Sequence, residues 1–445
     1  MLSRIKTMLS SSSTTRSGII NMCLKPVSMF LSLAYTPLLL TYLGDVKYGL
    51  WATLLSIINW INYFDVGIGN GLRNLLAKEL SEEQYEEAKK SISTAYCVLT
   101  CISGVVLLIV LILTTSIDWF SFFATDIDMR PTLAISFILI CVNFVLSLSN
   151  TLLYALQLSE RVAIRGIIVQ VINLLGVLLL QRTLPGSLVA MAILFGASTM
   201  IVNIGNTMNI FSNRKNIRPS IKFFEKEKIR NICNTGIKFF IIQIMCLMLF
   251  TVDNLLITHY FGADQVTPFH IADKMFKTAY TVLAAFLVPI WSRTTVAYVQ
   301  KDYNWIQKNL KRASLVCALF ILGYFLLWLL FKPLVALWVQ RELVFQSGLP
   351  FIMFVFYSIY SILAVECQFI NGSGLINTQM IAYCITGTMN IPFSIFLGVN
   401  CGMGPFGVRV ASTILLTLEV IILAINLHRI LLKVRQEEKQ NNESI

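Results

Sequence analysis

Residues 42–74 read YLGDVKYGLWATLLSIINWINYFDVGIGNGLRN, the pattern of one membrane crossing with a polar signature at each end. Tyr42 and Trp51 stand near the start of the apolar run, and Asp65 and Arg73 flank three glycines at its end. Aromatic side chains favour a membrane–water interface because one edge of the ring is apolar while the other stays hydrated. The stretch therefore predicts a membrane-spanning helix that ends at a carboxylate beside a glycine-rich bend.

The composition extends this prediction to the whole chain. Of 445 residues, 56% are hydrophobic and 13% are charged, whereas soluble domains carry about 25% charged residues. A membrane-spanning helix needs about 20 mostly apolar residues. We place twelve such spans at 18–43, 46–66, 91–115, 131–156, 160–182, 186–212, 236–259, 268–292, 313–338, 347–370, 376–399 and 404–432.

The basic residues follow a membrane topology rather than a nucleic-acid surface. The net charge is +12, and most of the 35 Lys and Arg residues fall in segments on one side of the predicted spans. Cytoplasmic segments of membrane proteins are enriched in Lys and Arg. We therefore predict that both termini are cytoplasmic, that the partner surface is the lipid bilayer, and that nucleic acid is not a partner.

Enzyme chemistry is not expected. The predicted outer loops leave no room for a soluble catalytic domain. Residues 402–407 fit GxGxxG by letter, but no strand precedes them and Pro405 occupies the turn. The ten cysteines are scattered without CxxC spacing and there are only three histidines. We expect no catalytic residue, no cofactor and no metal site.

The chain divides into two similar halves. A basic stretch separates residues 1–212 from residues 236–445, and we interpret 213–235 as a cytoplasmic linker between two six-helix lobes. Gly44 follows the first span and Gly262 the seventh, and Asn173 and Asn390 occupy the fifth and eleventh spans at nearly the same offset. Because six spans per half is an even number, both repeats share one orientation. This predicts pseudo-two-fold symmetry about the membrane normal and a cavity between the lobes.

Several of these motifs resemble those of a known family. They are residues 42–44 (YLG), 48–51 (YGLW), 65–74 (DVGIGNGLRN), 368–374 (QFINGSG) with Gln379, and 404–412. They are similar to motifs of the Wzx-type O-antigen flippases, in the polysaccharide transporter branch of the multidrug/oligosaccharidyl-lipid/polysaccharide export superfamily. In length and span count the resemblance covers the whole chain.

The resemblance implies an all-α integral membrane fold like that of the multidrug exporters of this superfamily. It implies that an undecaprenyl-diphosphate-linked oligosaccharide moves from the cytoplasmic to the periplasmic leaflet of the bacterial inner membrane. Alternating access driven by H⁺ or Na⁺ and a cationic cavity belong to the same expectation. A polysaccharide polymerase and a chain-length regulator are the implied protein partners.

Basic residues inside or near the predicted spans are the candidates for substrate binding. Charged groups within a membrane are costly and usually face a partner or a water-filled cavity. Simpler alternatives are snorkelling to the interface for shallow residues and positive-inside topology for the pair that opens span five. The candidates are Lys25, which precedes Pro26, Lys274, Lys277, Arg409, Arg165 and Arg161.

Acidic residues in the spans are the candidates for ion coupling or gating. Asp253 lies in span seven, Asp273 lies in span eight near Lys274 and Lys277, and Glu366 and Glu419 lie in spans ten and twelve. An acid near a cation can bind a proton in one conformation and release it in another, although a static Asp–Lys pair is the simpler alternative. The pair Asp65 and Arg73 is interpreted as a helix cap or, alternatively, as a cytoplasmic gate.

Three other functions remain as alternatives. A multidrug cation antiporter of the same superfamily is disfavoured by the basic residues in the spans, because a cationic drug requires carboxylates. A membrane polysaccharide polymerase or glycosyltransferase is disfavoured by the short outer loops. A flippase for a peptidoglycan precursor would be expected to carry additional spans.

Overall fold

The computed structural model describes residues 13–61, 72–73, 75–76, 79–80, 82–123, 125–156, 158–233, 237–299, 302–341 and 343–443. Within these ranges all regular secondary structure is helical. In chain order the helices are α1 (Ser13–Ile61), α2 (Tyr85–Ser116), α3 (Trp119–Phe123), α4 (Arg130–Leu146), α5 (Leu148–Ala155), α6 (Ser159–Thr183), α7 (Leu188–Asn213), α8 (Lys226–Cys233), α9 (Ile237–Phe250), α10 (Asp253–Phe261), α11 (Ala263–Val299), α12 (Tyr303–Leu329), α13 (Phe331–Val339), α14 (Leu349–Ser373), α15 (Asn377–Ile395) and α16 (Gly404–Glu443).

Ten helical segments of the described residues are long and apolar enough to cross a membrane. One of them, Leu24–Ile58, lies in α1, which contains the described part of the first two predicted spans. The predicted eighth span lies in α11, whose 37 residues exceed the length that a bilayer requires.

Many large apolar side chains on these helices point outward. Leu108, Leu179 and Leu337 are more than 60% exposed. A helix that crosses lipid is apolar on all sides, because the surrounding solvent is hydrocarbon and the backbone is satisfied internally. The exposed leucines are therefore the surface expected of a membrane protein.

The chain forms two compact units, Met1–Phe240 and Ile241–Ile445. In the first unit α1 packs along α6, while α4 packs against α2 and α7. In the second unit α14 packs against α11, α12 and α16, and α16 also packs against α15. The lobe and linker boundaries drawn at residues 212 and 236 stay predictions.

Two glycines from the repeated motifs share a rare backbone conformation. Gly44 interrupts α1 with φ 73° and ψ 176°, and Gly262 ends α10 with φ 93° and ψ 158°. This region of conformational space is essentially restricted to glycine, because a Cβ atom would clash with the backbone. The shared conformation explains why glycine stands at the corresponding place in both halves.

A cluster of ion pairs connects the segment after α7 with Glu79 and with the start of α2. The Lys228 Nζ atom lies 2.7 Å from Glu79 Oε1 and 2.9 Å from Glu87 Oε2. Lys90 lies 2.8 Å from Glu87 and 3.6 Å from Glu225. Burial alone lowers the pKa of Lys228, but its hydrogen bonds to the two glutamates raise it by more, so the net pKa lies above the ordinary lysine value.

Candidate functional site

A buried ion-pair network lies in the second unit, where α10, α11 and α16 meet. Arg409 of α16 is 2% exposed, and its Nη1 atom lies 3.3 Å from Asp253 Oδ2. Its Nη2 atom donates a hydrogen bond of 2.7 Å to Asp273 Oδ1. One guanidinium thus joins a carboxylate at the start of α10 to a carboxylate in the first third of α11. We call these three residues the arginine–carboxylate network.

Neighbouring side chains hold the network in place. The Tyr357 hydroxyl donates to Asp273 Oδ1 at 2.9 Å. The guanidinium carbon of Arg409 lies 4.3 Å from the ring centre of Phe356 and 4.9 Å from that of Phe269. Arginine suits such a place because its planar group combines ring stacking with several directed hydrogen bonds.

Ser412 connects the network to Asn390, one of the repeat anchors. Its Oγ atom lies 3.3 Å from Asp253 Oδ1 and 3.1 Å from Asn390 Oδ1, and its single proton is donated to one of them at a time. In the first unit Ser198 Oγ donates to Asn173 Oδ1 at 2.9 Å. In each half, therefore, a serine of the sixth span contacts the anchor asparagine of the fifth.

The network corrects the partner expected for the two aspartates. The sequence pointed to Lys274 and Lys277, but the cation that contacts Asp253 and Asp273 is Arg409. Among the described residues neither lysine forms an ion pair within 4.0 Å, and Lys277 is exposed while Lys274 is half-buried. In the structure Arg409, which was predicted to bind substrate, is therefore paired with two carboxylates. The positive charges of the two lysines are not paired in this way among the described residues.

The other two predicted carboxylates have no cation beside them in the described part of the chain. Glu419 is fully buried and accepts a hydrogen bond from Thr386, while its Oε2 atom has no hydrogen-bond partner. Glu366 lines a cavity of about 490 Å³ together with His428 and apolar side chains of α12, α14 and α16. Its Oε2 atom is also buried without a partner.

A second cavity, of about 430 Å³, lies inside the first unit among α1, α4, α5, α6 and α7. We call it the amide cavity, because its polar lining consists mostly of amide and hydroxyl side chains. Arg165 is the one charged side chain among its described lining residues. The polar members of the lining are Ser136, Asn143, Ser147, Asn150, Arg165, Gln170, Asn173, Thr199 and Asn203, with Trp51 and Phe195 as its aromatic members.

Some of these groups are fixed by the protein and others are left without a partner. Asn143 Nδ2 donates to the Gly196 carbonyl at 2.9 Å, and Asn203 Nδ2 lies 3.3 Å from Asn143 Oδ1. Four buried polar atoms of the lining have no hydrogen-bond partner. These are Trp51 Nε1, Ser136 Oγ, Arg165 Nη1 and Gln170 Oε1.

The two arginines that open span five differ in environment. Arg161 is exposed, whereas Arg165 is half-buried and lines the amide cavity. Arg165 lies six residues into α6, or about 9 Å along the helix axis. The structure thus separates a surface arginine from an arginine that reaches a cavity.

The remaining predicted residues are not brought to either site. The Lys25 side chain is exposed beside Pro26 in α1. The Arg73 side chain is exposed and its guanidinium lies 5.0 Å from the Tyr154 ring. Asp65 lies outside the described residues. Within the described ranges no group of three or more His, Cys, Asp or Glu side chains is suited to hold a metal ion.

Sequence reasoning missed most of the amide cavity because it ranked charged residues above amides. The signal was present as polar residues spaced three or four apart in apolar helices, such as Asn143, Ser147 and Asn150, or Thr199 and Asn203. This spacing places side chains on one helix face. Of the amides, only Asn173 was singled out.

Comparison with known proteins agrees with this architecture. A family model described as polysaccharide biosynthesis protein matches residues 14–299. A putative O-antigen export protein of Yersinia pseudotuberculosis is 24% identical over 275 residues, which is 60% of this chain. The chain spans 61% of the length of that relative.

Solved structures share the fold. An inward-facing multidrug resistance transporter of the MATE family and MOP superfamily aligns with a TM-score of 0.79 at 13% identity, covering 94% of this chain and 99% of that one. The lipid II flippase MurJ, in an inward closed conformation, aligns with a TM-score of 0.68 at 19% identity, covering 94% of this chain and 90% of that one. At these identities the likeness establishes a common fold.

Proposed function

Because the chain belongs to the polysaccharide biosynthesis protein family, we propose that it is a flippase for an undecaprenyl-diphosphate-linked oligosaccharide. It carries an O-antigen repeat unit or a similar unit from the cytoplasmic to the periplasmic leaflet of the bacterial inner membrane. The name of the Yersinia relative, an O-antigen export protein, supports this substrate class. No covalent chemistry is part of the proposal.

One observation carries the proposal: Arg165, on a membrane-spanning helix, lines the amide cavity while its Nη1 atom has no hydrogen-bond partner. Guanidinium groups match the oxygens of phosphate with paired, charge-assisted hydrogen bonds. A diphosphate provides such oxygens, whereas a cationic drug would be repelled. Arg165 is therefore assigned to the lipid diphosphate, with Arg161 as a first contact at the surface.

The carrier works by alternating access. Lys274, Lys277 and Lys25 are assigned to further contacts with the anionic substrate, since none of them is in an ion pair within the described residues. The diphosphate and glycan pass through the protein while the polyprenyl chain remains in the bilayer, because its transfer into a polar cavity would be unfavourable. Asp65 and Arg73 remain candidates for the cytoplasmic gate.

Transport is coupled to an H⁺ or Na⁺ gradient in this proposal. A coupling ion does work only if it binds the two conformations with different affinity. Glu419 and Glu366 suit a proton carrier, because each keeps a buried oxygen without a partner and no described cation neutralises it. Asp253 and Asp273 suit a conformational latch, because Arg409 already neutralises part of their charge.

The test is complementation of a bacterium that lacks its O-antigen flippase, with surface polysaccharide read on a gel. Wild type is expected to restore the ladder. Arg165→Ala is expected to lose it, whereas the matched control Arg182→Ala, an exposed arginine in the last turn of the same helix, is expected to retain it at equal expression. A restored ladder in Arg165→Ala would remove Arg165 from the mechanism but leave the flippase.

A wild-type chain that is expressed but restores no ladder in any of several O-antigen strains would contradict the flippase proposal. A drug-resistance assay on the same cells would then test the multidrug antiporter, whose fold this chain shares. Reporter fusions at the two ends of the chain test the proposed cytoplasmic termini. Co-purification tests the polysaccharide polymerase and chain-length regulator as partners.

A further inference from the structure

We propose that the amide cavity is a saccharide subsite, in which Trp51, Ser136 and Gln170 hydrogen-bond one sugar ring of the carried glycan. The inference rests on the proposed function and adds to it the residues that select the glycan. Arg165 takes the phosphate next to that ring. The subsite lies entirely within the first unit.

The unpartnered atoms are the first argument. Nearly all buried polar atoms in proteins have a hydrogen-bond partner, so an exception calls for an explanation. Four residues that line this single cavity each carry one such atom, and they are Trp51, Ser136, Arg165 and Gln170. Because all four belong to lining residues, a polar ligand in the cavity accounts for them together.

The unpartnered atoms include both donors and acceptors, as a sugar ring requires. Trp51 Nε1 and Arg165 Nη1 only donate, Gln170 Oε1 only accepts, and the Ser136 hydroxyl does either. A sugar hydroxyl also donates and accepts, and adjacent hydroxyls present both functions at short spacing. No carboxylate lies in the described lining, so the cavity is poorly suited to a cation.

Some side chains that line the cavity are also held in position before any ligand binds. The Trp51 ring, 1% exposed, packs edge-on against Phe195 with their ring centres 5.8 Å apart. Gln170 Nε2 donates to Ser28 Oγ at 2.8 Å, which fixes the amide and leaves Oε1 as the unpartnered acceptor. Groups that are already oriented lose little entropy on binding.

Size and depth fit a sugar beside a phosphate. The volume of about 430 Å³ lies within the range of roughly 300–1,000 Å³ found for ligand pockets. Gln170 follows Arg165 by five residues on α6, or about 7.5 Å along the axis. A phosphate held at Arg165 thus places the attached ring within reach of Gln170.

The test uses the full-length purified protein and the oligosaccharide released from the lipid-linked unit of a strain that the wild type complements. Binding is measured by calorimetry, and thermal unfolding is measured in parallel. Ser136→Ala removes one unpartnered atom with little change in packing, and Trp51→Phe removes another together with part of a buried ring. Trp119→Phe is the matched control, since its Nε1 atom donates to the Thr114 carbonyl outside the cavity.

Each cavity variant is expected to weaken binding roughly 3- to 10-fold, the factor that one ordinary hydrogen bond contributes. Ser136→Ala should unfold at or above the wild-type temperature, because an unsatisfied buried atom is removed. Trp51→Phe and the control Trp119→Phe should both lose stability, because each deletes part of a buried ring, but binding should be unchanged only in the control. This contrast separates ligand contact from structural damage.

If the wild type complements and both cavity variants bind the oligosaccharide as tightly as it does, the subsite proposal is wrong and the cavity is filled only by water. The flippase proposal would not be affected by that result. Absence of binding by a wild type that complements would overturn it as well. Failure of complementation in every strain tests the proposed function itself, so the two failures are distinguishable.

Discussion

Removing the guanidinium of the arginine–carboxylate network should destabilise the second unit strongly. Arg409→Met keeps a side chain of similar length but deletes both ion pairs, at 2.7 Å and 3.3 Å, and both aromatic contacts. Two buried carboxylates then face each other without a cation. Breaking a buried ion pair on one side costs about 3–5 kcal/mol, because the remaining charge stays desolvated.

The size of the effect can be read as a melting temperature. A unit of about 200 residues loses roughly 2–4 °C for each kcal/mol, so Arg409→Met should lower Tm by roughly 6–20 °C. The assay is thermal unfolding in detergent, followed by fluorescence. Asp253→Asn and Asp273→Asn, added to Arg409→Met, remove the uncompensated charge and should recover much of the loss.

Two results would refute this reasoning. If Arg409→Met unfolds at the wild-type temperature, the carboxylates do not depend on the guanidinium. If the charge-neutral triple variant is no more stable than Arg409→Met, the loss comes from packing against the aromatic rings and the charges are not coupled. The comparison of single and triple variants separates Coulombic from packing contributions.

Three further predictions concern other parts of the chain. Gly44→Ala and Gly262→Ala should each lower the free energy of unfolding by about 1–3 kcal/mol because of their backbone conformation. Gly104 lies in open space on a helix, so Gly104→Ala should be neutral or stabilising in the same thermal unfolding experiment. Equal effects at all three positions would exclude backbone strain. Lys228 has a raised pKa in the folded state, so its stabilising effect is complete below the ordinary lysine pKa and is lost as pH rises through the raised value. Over that alkaline range Tm should fall in the wild type and fall less in Lys228→Met. Parallel curves of Tm against pH for the two proteins would contradict this. Glu419→Gln keeps the shape of the side chain but cannot carry a proton, so ladder formation should be lost at normal expression; an intact ladder would remove Glu419 from the coupling candidates.

The fold was largely predictable because lipid imposes a simple rule. Apolar runs of about 20 residues predicted twelve spans; ten helical segments of the described residues are long and apolar enough to cross a membrane, and α11 covers the predicted eighth span. The glycines at 44 and 262 were visible as repeated letters, and the structure adds the shared backbone conformation that requires them.

The sites were only partly predictable, because sequence spacing reveals faces within one helix but not which distant helix approaches them. Asp273 and its two nearby lysines suggested a local cluster, yet the contacting cation comes from α16. The amide cavity combines residues of five helices, and none of these residues is conspicuous alone. Its meaning depends on which polar atoms remain without a partner, and only coordinates provide that information.

The arginine–carboxylate network also bears on how the chain is made. Arg409 follows Asp273 by 136 residues, and a ribosome adds about 5–20 residues per second, so the aspartate enters the membrane roughly 7–27 s before its cation exists. During that interval a carboxylate within a bilayer is unfavourable by about 2.5–3.5 kcal/mol. Synthesis of α16 ends this interval, because it supplies the guanidinium that both aspartates contact. Chains truncated before residue 409 would therefore carry the two aspartates in the membrane without their cation.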